Sequence, residues 1–310
     1  MISFDESNVN DSENNSLKDL EIQRKKKYIQ NPLIGYLNIN SLRGDKFHYL
    51  KDILSNTPID IVCIDETKLT YDFTDALFQI DGYQYPPYRR DRDSISSSSI
   101  GGGKMVFVKD GMINKRLKDF ETPTAETICV ELTVSNRKWF LICVYRPESI
   151  DRKLFFEELK ESLSKAFVKY EYGVVIGDLN IDRNGQTDRH GFLSNLCDIF
   201  NLENLITEKT CYKKHGGTSI DVFMTNRKRC FQGTSIIETG LSDHHCLIVS
   251  CLKSHFHKLP PKKLIYRDKK KFNEEAYLDD LRGIDFVDVC SGENAYEKLS
   301  EEVPKIITSL

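Results

Sequence analysis

Apolar residues in this chain come in short runs, and most of the runs stop abruptly at a polar residue. IGYLNI, PIDIVCID, KMVFV, TICVELTV, KWFLICVY, GVVIGD, SIDVFMTN and HCLIVSCL begin at Ile34, Pro58, Lys104, Thr127, Lys138, Gly173, Ser219 and His245. They have the length and the β-branched and aromatic content of strands. Between them, Phe47, Leu50, Ile53 and Leu54 recur at helical spacing. Phe155, Leu159, Leu163 and Ala166 form one stripe of a segment from Leu154 to Val168, and the Phe192–Phe200 stretch also reads as helix. Strands interleaved with a few helices predict a layered α/β domain over about residues 33–252.

The flanks have a different texture. Residues 1–32 are rich in Asn, Ser and Asp, turn basic at Arg24–Lys27, and read as a disordered arm. Beyond 253, HKLPPKKLIYRDKKK is a linker, followed to residue 310 by an acidic, helix-prone connector. Inside the domain, RDRDSISSSSIGGGK reads as a mobile loop between strands. No internal repeat is present. No apolar run approaches the roughly 18–20 residues of a membrane span, and MISFDESNVNDSENN is not a signal peptide. The nine cysteines are scattered without a Cys-x-x-Cys pair, which favours reduced thiols in an intracellular compartment over a disulfide framework or a zinc site.

Charge changes the picture once it is divided. The chain has a net charge of −3, but residues 1–21 carry −5 and residues 273–310 carry −7, which leaves +9 for residues 22–272. A basic body between acidic ends can approach a polyanion, although ordinary solubility explains the same numbers.

Candidate chemistry sits where the runs end. LNINSLR offers Asn38 and Asn40, IVCIDETK Asp65 and Glu66, ICVYRPE Tyr145 and Arg146, and VVIGDLNID Asp178 and Asn180. TSIDVFMTN offers Asp221, and LSDHHCL offers Asp243, His244 and His245. Loops at strand ends are where sites collect in layered α/β domains, because the sheet fixes geometry while the loops stay reachable. Carboxylates are hard ligands suited to Mg²⁺ or Mn²⁺, an Asp–His pair fixes one imidazole tautomer, and amides and a phenol position a phosphate without repelling it. Together they suit metal-assisted phosphodiester hydrolysis.

Each feature also has a plainer explanation. Asp178 and Asn180 make a turn, Glu66 suits a helix start, Asn38 and Asn40 suit helix caps, Asp221 could pair with a lysine, and His244 and His245 could be surface residues. GGGK lacks the spacing of a phosphate loop and precedes a strand, so that reading is rejected. The plain explanations would all have to hold at six separate strand ends.

The ordered series LNINSLR, CIDETK, VYRPE, GDLNID, SIDVFMTN and SDHH resembles the endonuclease/exonuclease/phosphatase superfamily. Within it, DETKL, GGGKMVFVKDG, VYRPE and SIDVFMTN followed by LSDHH are similar to the endonuclease domain of non-LTR retrotransposons. The resemblance covers about residues 33–252. It implies a deoxyribonuclease I-like α/β fold of four layers, a β-sandwich of two mixed sheets flanked by helices. It implies Glu66 as principal metal ligand with Asn38 beside it, and Asp243 completing the metal or acid cluster. Asp178 would activate the attacking water, Asn180 would hold the phosphate, and Tyr145 would contact it. His244, oriented by Asp221, would bond the phosphate oxygen or transfer a proton. Asn40 and Thr210 match more loosely as phosphate contacts, and Arg146 is grouped with them.

The resemblance further implies a Mg²⁺ (or Mn²⁺) cofactor, DNA as partner, and a nick whose 3′-hydroxyl primes reverse transcription. A reverse transcriptase and element RNA would be further partners of a monomeric protein that acts in the nucleus after synthesis in the cytoplasm. IYRDKKKFNEEAYLDDL resembles the connector these elements place before their polymerase. The loop CYKKHGG, with Lys213 and Lys214, is placed to enter a groove and shape target preference. Asp65 departs from the pattern, standing where relatives often have Gln or Ser and adding a negative charge next to the metal ligand. Two alternatives remain: a superfamily phosphatase acting on a phosphoinositide or nucleotide, and a non-catalytic DNA-binding module.

Overall fold

The computed structural model describes residues 31–92, 101–182, 191–212, 216–242, 245–253 and 273–283. The chain divides into two compact units, residues 1–256 and 257–310. Of the expected N-terminal arm only Asn31 and Pro32 fall among the described residues, and there the Pro32 carbonyl already accepts a hydrogen bond from Leu252.

In the larger unit the apolar runs become two six-stranded sheets. The first contains β1 (Leu33–Asn38), β2 (Ile59–Asp65), β3 (Tyr88–Arg90), β4 (Lys104–Val108), β11 (Phe231–Ile237) and β12 (Leu247–Leu252), ordered β11-β12-β1-β2-β4-β3. The second contains β5 (Asn114–Arg116), β6 (Glu126–Val134), β7 (Arg137–Tyr145), β8 (Tyr172–Asp178), β9 (Glu203–Asn204) and β10 (Asp221–Thr225), ordered β5-β6-β7-β8-β10-β9. Each sheet is mixed: β1–β2 and β7–β8 are parallel, while β1–β12 and β8–β10 are antiparallel.

Residue alternation then sorts side chains into layers. Side chains in a strand point to opposite faces by turns. Ile34, Tyr36, Ile61, Cys63, Leu141, Cys143, Val174 and Ile176 face the core between the sheets. The intervening Leu37, Val62 and Ile64 pack outward against Phe47, Leu50 and Leu54 of α1 (Lys46–Asn56). On the other side, Phe140, Ile142 and Val175 pack against α2 (Arg152–Lys169) and α3 (Phe192–Phe200). Helix α2 begins two residues before the expected Leu154, capped by Asp151, whose carboxylate accepts the Leu154 amide at 3.0 Å. The result is the expected four-layered sandwich. In the smaller unit, α4 (Glu274–Arg282) falls in the segment expected to be helix-prone, with Asn273 Oδ1 accepting the Glu275 and Ala276 amides at 3.1 and 3.2 Å.

Candidate active site

The inward-facing series of five strands turn polar at the same end of the inter-sheet core. Ile34 and Tyr36 lead to Asn38, Ile61 and Cys63 to Asp65, Leu141 and Cys143 to Tyr145, and Val174 and Ile176 to Asp178. Asp221 precedes Phe223 on the same face. Register brings the polar members side by side: Asn38 opposite Asp65, Tyr145 opposite Asp178, and Asp178 opposite Asp221. Gly177 makes one of these approaches possible. Its φ is +152°, and a Cβ there would lie 1.7 Å from the Val144 carbonyl oxygen.

Asn38 joins the two sheets. Fully buried, it donates from Nδ2 to Glu66 Oε1 at 2.9 Å and to Asp178 Oδ2 at 3.1 Å. Glu66 follows β2 with φ +54°, on a turn held by Thr67 N to Gly103 O (3.1 Å), Lys68 N to Gly102 O (2.7 Å) and Ser41 N to Glu66 O (2.7 Å). The glycine run is therefore a bed for this turn. A Cβ on Gly103 would lie 2.6 Å from Thr67 Oγ1. Tyr145 donates its hydroxyl to Glu66 Oε1 at 3.0 Å. Burial, and then the negative charge of Glu66 and Asp178, hold that phenol well above its ordinary titration range, so it stays a donor.

Asp178 accepts the Asn180 amide on Oδ1 at 2.8 Å, so the turn and the site are the same structure. Burial and the facing Asp221 push its carboxyl up to about 7, against the opposing pull of His245, the Asn180 amide and Asn38. His245 Nδ1 lies 3.2 Å from Asp221 Oδ2. Desolvation works against a charged imidazole, but hydrogen bonds to Asp221 and Cys211 and the charges of Asp221 and Asp178 raise it to about 11. Asp178, Asp221 and His245 each bring a ligand atom within 4.8 Å of the others. Among the described residues, Asp221 Oδ1 is buried without a hydrogen-bond partner. Two buried carboxylates, an orphaned oxygen and Glu66 nearby form an oxygen-rich donor set that fits a hard divalent cation. Glu66, Tyr145, Asp178, Asn180 and His245 line a cleft of about 1210 Å³.

Several expectations need correction. Among the described residues the imidazole that meets Asp221 is His245, and not the expected His244; His244 itself, Asp243, Lys213 and Lys214 lie outside the described residues, so their expected roles stand neither supported nor corrected. Arg146 is a clamp and not a phosphate contact. Its buried guanidinium donates to the carbonyls of Leu179 (2.7 Å), Asn180 (3.0 Å), Ile150 (3.2 Å) and Pro147 (3.3 Å). Thr210 is fully buried, its hydroxyl accepting the Asp221 amide at 3.4 Å, so it supports Asp221 from behind. Asn40 stands beside the site, but its Oδ1 accepts from Lys68 Nζ, which also lies 3.6 Å from Glu66 Oε2. Lys68 and Arg92, whose guanidinium lies 5.9 Å from the Tyr145 ring centroid at the cleft, were missed. The only signal for Lys68 was its place in DETK. Asp65 faces a lysine, so its charge is not added to the site uncompensated.

Comparison with known proteins agrees with this geometry. Residues 35–244 match the model of the Endonuclease/Exonuclease/phosphatase family, and the chain belongs to that family of nucleases and phosphatases. The AP endonuclease LMAP from Leishmania major superposes with a TM-score of 0.61 at 14% identity, covering 74% of this chain and 90% of that one. The endonuclease domain of TRAS1, a telomere-specific non-LTR retrotransposon, gives 0.54 at 13% identity, covering 72% and 98%. The 3′ phosphatase NExo from Neisseria, solved bound to a product DNA hairpin, gives 0.54 at 16%, covering 72% and 99%. At these identities the likeness is one of fold, and the fold is the deoxyribonuclease I-like one expected. No curated protein matches the chain in sequence.

Proposed function

We propose that this chain is a divalent-metal-dependent DNA endonuclease that nicks its target to leave a 3′-hydroxyl, as the nuclease of a non-LTR retrotransposon or of a gene derived from one. The observation that carries the reading is the Asn38 amide, which holds Glu66 and Asp178 together in a cleft that also receives the Asp221–His245 pair. The fold likeness to the TRAS1 domain and the strand-end motifs support the retrotransposon assignment.

Glu66, with Asn38, would hold Mg²⁺ or Mn²⁺. A bound ion supplies neutralisation of phosphoryl and leaving oxygens. Asp178, with its carboxyl near neutrality and its orientation fixed by Asn180 and Asn38, is suited to accept a proton from water. His245, charged and held by Asp221, is suited to donate to a phosphate oxygen in the cleft. Tyr145 steadies Glu66 while keeping its own proton. In this reading the partner is duplex DNA, the site of action is the nucleus, and the product end serves a reverse transcriptase copying element RNA.

The test is nicking of supercoiled plasmid with Mg²⁺, with EDTA, and by Glu66→Ala. Metal-dependent relaxation in the parent, reduced by roughly 10²-fold or more in the variant, is expected. Phosphate release from inositol phosphates without any nicking would replace this reading with that of a phosphatase. Binding without cleavage of either substrate would replace it with that of a binding module.

A further inference from the structure

A buried ion pair lies directly behind Glu66. Lys104 opens β4 and Asp65 closes β2; the two are ladder partners, and the ammonium meets Asp65 Oδ1 with neither side chain exposed. The same carboxylate accepts from the Tyr36 hydroxyl at 3.0 Å and from the Cys143 thiol at 3.3 Å. Lys104 Nζ lies 5.9 Å from the centroid of the Tyr145 ring, whose hydroxyl donates to Glu66. The Asp65 carbonyl also accepts the Ile39 amide at 3.0 Å, so the residue preceding Glu66 is fixed by both main chain and side chain.

An inter-sheet core has no need of charge at this position. Burying two ions carries a desolvation penalty that their attraction offsets only with good geometry, and apolar residues of similar volume are often as stable. Deeper in this core the buried polar side chains on the inward faces of β10 and β12, Thr225 and Ser250, are uncharged hydroxyls, and the charged pair lies where the core meets the site. We propose that Lys104 and Asp65 are a matched charge pair that sets the field at the Glu66 cation site, Lys104 cancelling the extra carboxylate placed beside the ligand. The proposal rests on the reading of Glu66 as a divalent-cation ligand. Lys104 and Asp65 touch neither ion nor substrate, so they act as positioning residues through electrostatics.

A matched pair has the short-ranged field of a dipole, whereas an unmatched member acts as a full charge. A unit charge roughly 10 Å from a divalent ion, in an effective dielectric of about 20, shifts affinity by roughly a hundredfold or more. Asp65→Asn leaves Lys104 unmatched and should raise half-saturating Mg²⁺ roughly a hundredfold. Lys104→Met leaves Asp65 unmatched and should not raise it. The double variant should return to within about threefold of the parent, and Lys104→Arg should match the parent.

The measurement is calorimetric titration of the metal-free protein with Mg²⁺ and Mn²⁺, paralleled by the metal-induced rise in Tm. A merely structural pair predicts a different pattern, with affinity falling in every variant in step with lost stability. Equal weakening by both single variants, or a double variant no better than Asp65→Asn, overturns the proposal. If the single variants do not fold, the double variant and Lys104→Arg decide: parent-like affinity in both supports the pair, and weakened affinity in both overturns it. A parent that binds Mg²⁺ without cutting DNA refutes the endonuclease reading alone, because the titration still reports on the pair. A parent that binds no divalent cation overturns both.

Discussion

Two buried groups of charged residues sit side by side at the end of the same core, and they are finished differently. Around Asp65, the carboxylate receives a lysine, a phenol and a thiol, and both of its oxygens are engaged. Around Asp178 and Asp221, two carboxylates are ladder neighbours, one imidazole meets Asp221, and Asp221 Oδ1 is left with no partner among the described residues. Both groups occupy inward-facing positions at strand ends, so position alone does not distinguish them. Completeness does. A satisfied buried charge belongs to the scaffold, whereas an unsatisfied one beside a cleft is free to take a ligand.

The comparison breaks most directly at the unsatisfied group. Asp178→Asn and His245→Ala should each lower plasmid nicking by roughly 10²–10⁴-fold, the range typical of losing an acid–base group. His244→Ala should stay within about tenfold of the parent on the same scale; near-equal losses for the two histidines in parallel rate assays would show that Asp221 selects neither. A smaller effect concerns stability. With its carboxyl raised to about 7, folded Asp178 holds a proton that the unfolded chain releases at ordinary aspartate values. Its stabilising contribution is therefore present at low pH and is lost as pH rises through about 7. His245, raised to about 11, acts in the same direction above its ordinary value, because the folded state keeps a proton the unfolded one sheds. The metal-free protein should thus lose Tm between about pH 5 and pH 8, and Asp178→Asn should flatten that loss. A slope unchanged in the variant would remove Asp178 as its source. The smallest effect is expected at Thr210→Val, which removes one hydroxyl behind Asp221. It should cost about 1 kcal/mol in urea unfolding and leave half-saturating Mg²⁺ unchanged, as befits a support.

Much of this was legible because strand alternation is local. A run such as VVIGD carries its own statement of which side chains share a face, and the polar residue ending the inward series is visible without knowing the partner strand. Glu66, Asn38, Tyr145, Asp178 and Asp221 were accessible in this way. What was not legible depended on distant partners. Arg146 looks available until four carbonyls from the 147–150 and 179–180 segments close around it. Lys104 reads as a charge bordering a strand, and only Asp65, 39 residues upstream, explains its burial. The choice between His244 and His245 turns on one residue of register where the chain enters β12, next to the bridge between Cys211 and His245. Two adjacent identical side chains carry no periodicity that could decide it.

The bond between Asn38 and Asp178 spans 140 residues of sequence and joins strands of different sheets. A chain with only one sheet formed would therefore possess half of this site, much as each fragment of a split reporter is silent by itself. Under the proposed function, cutting would require the closed sandwich, because the residues that would carry it come from both sheets. Any activity of this site would then double as a gauge of whether the two sheets are docked.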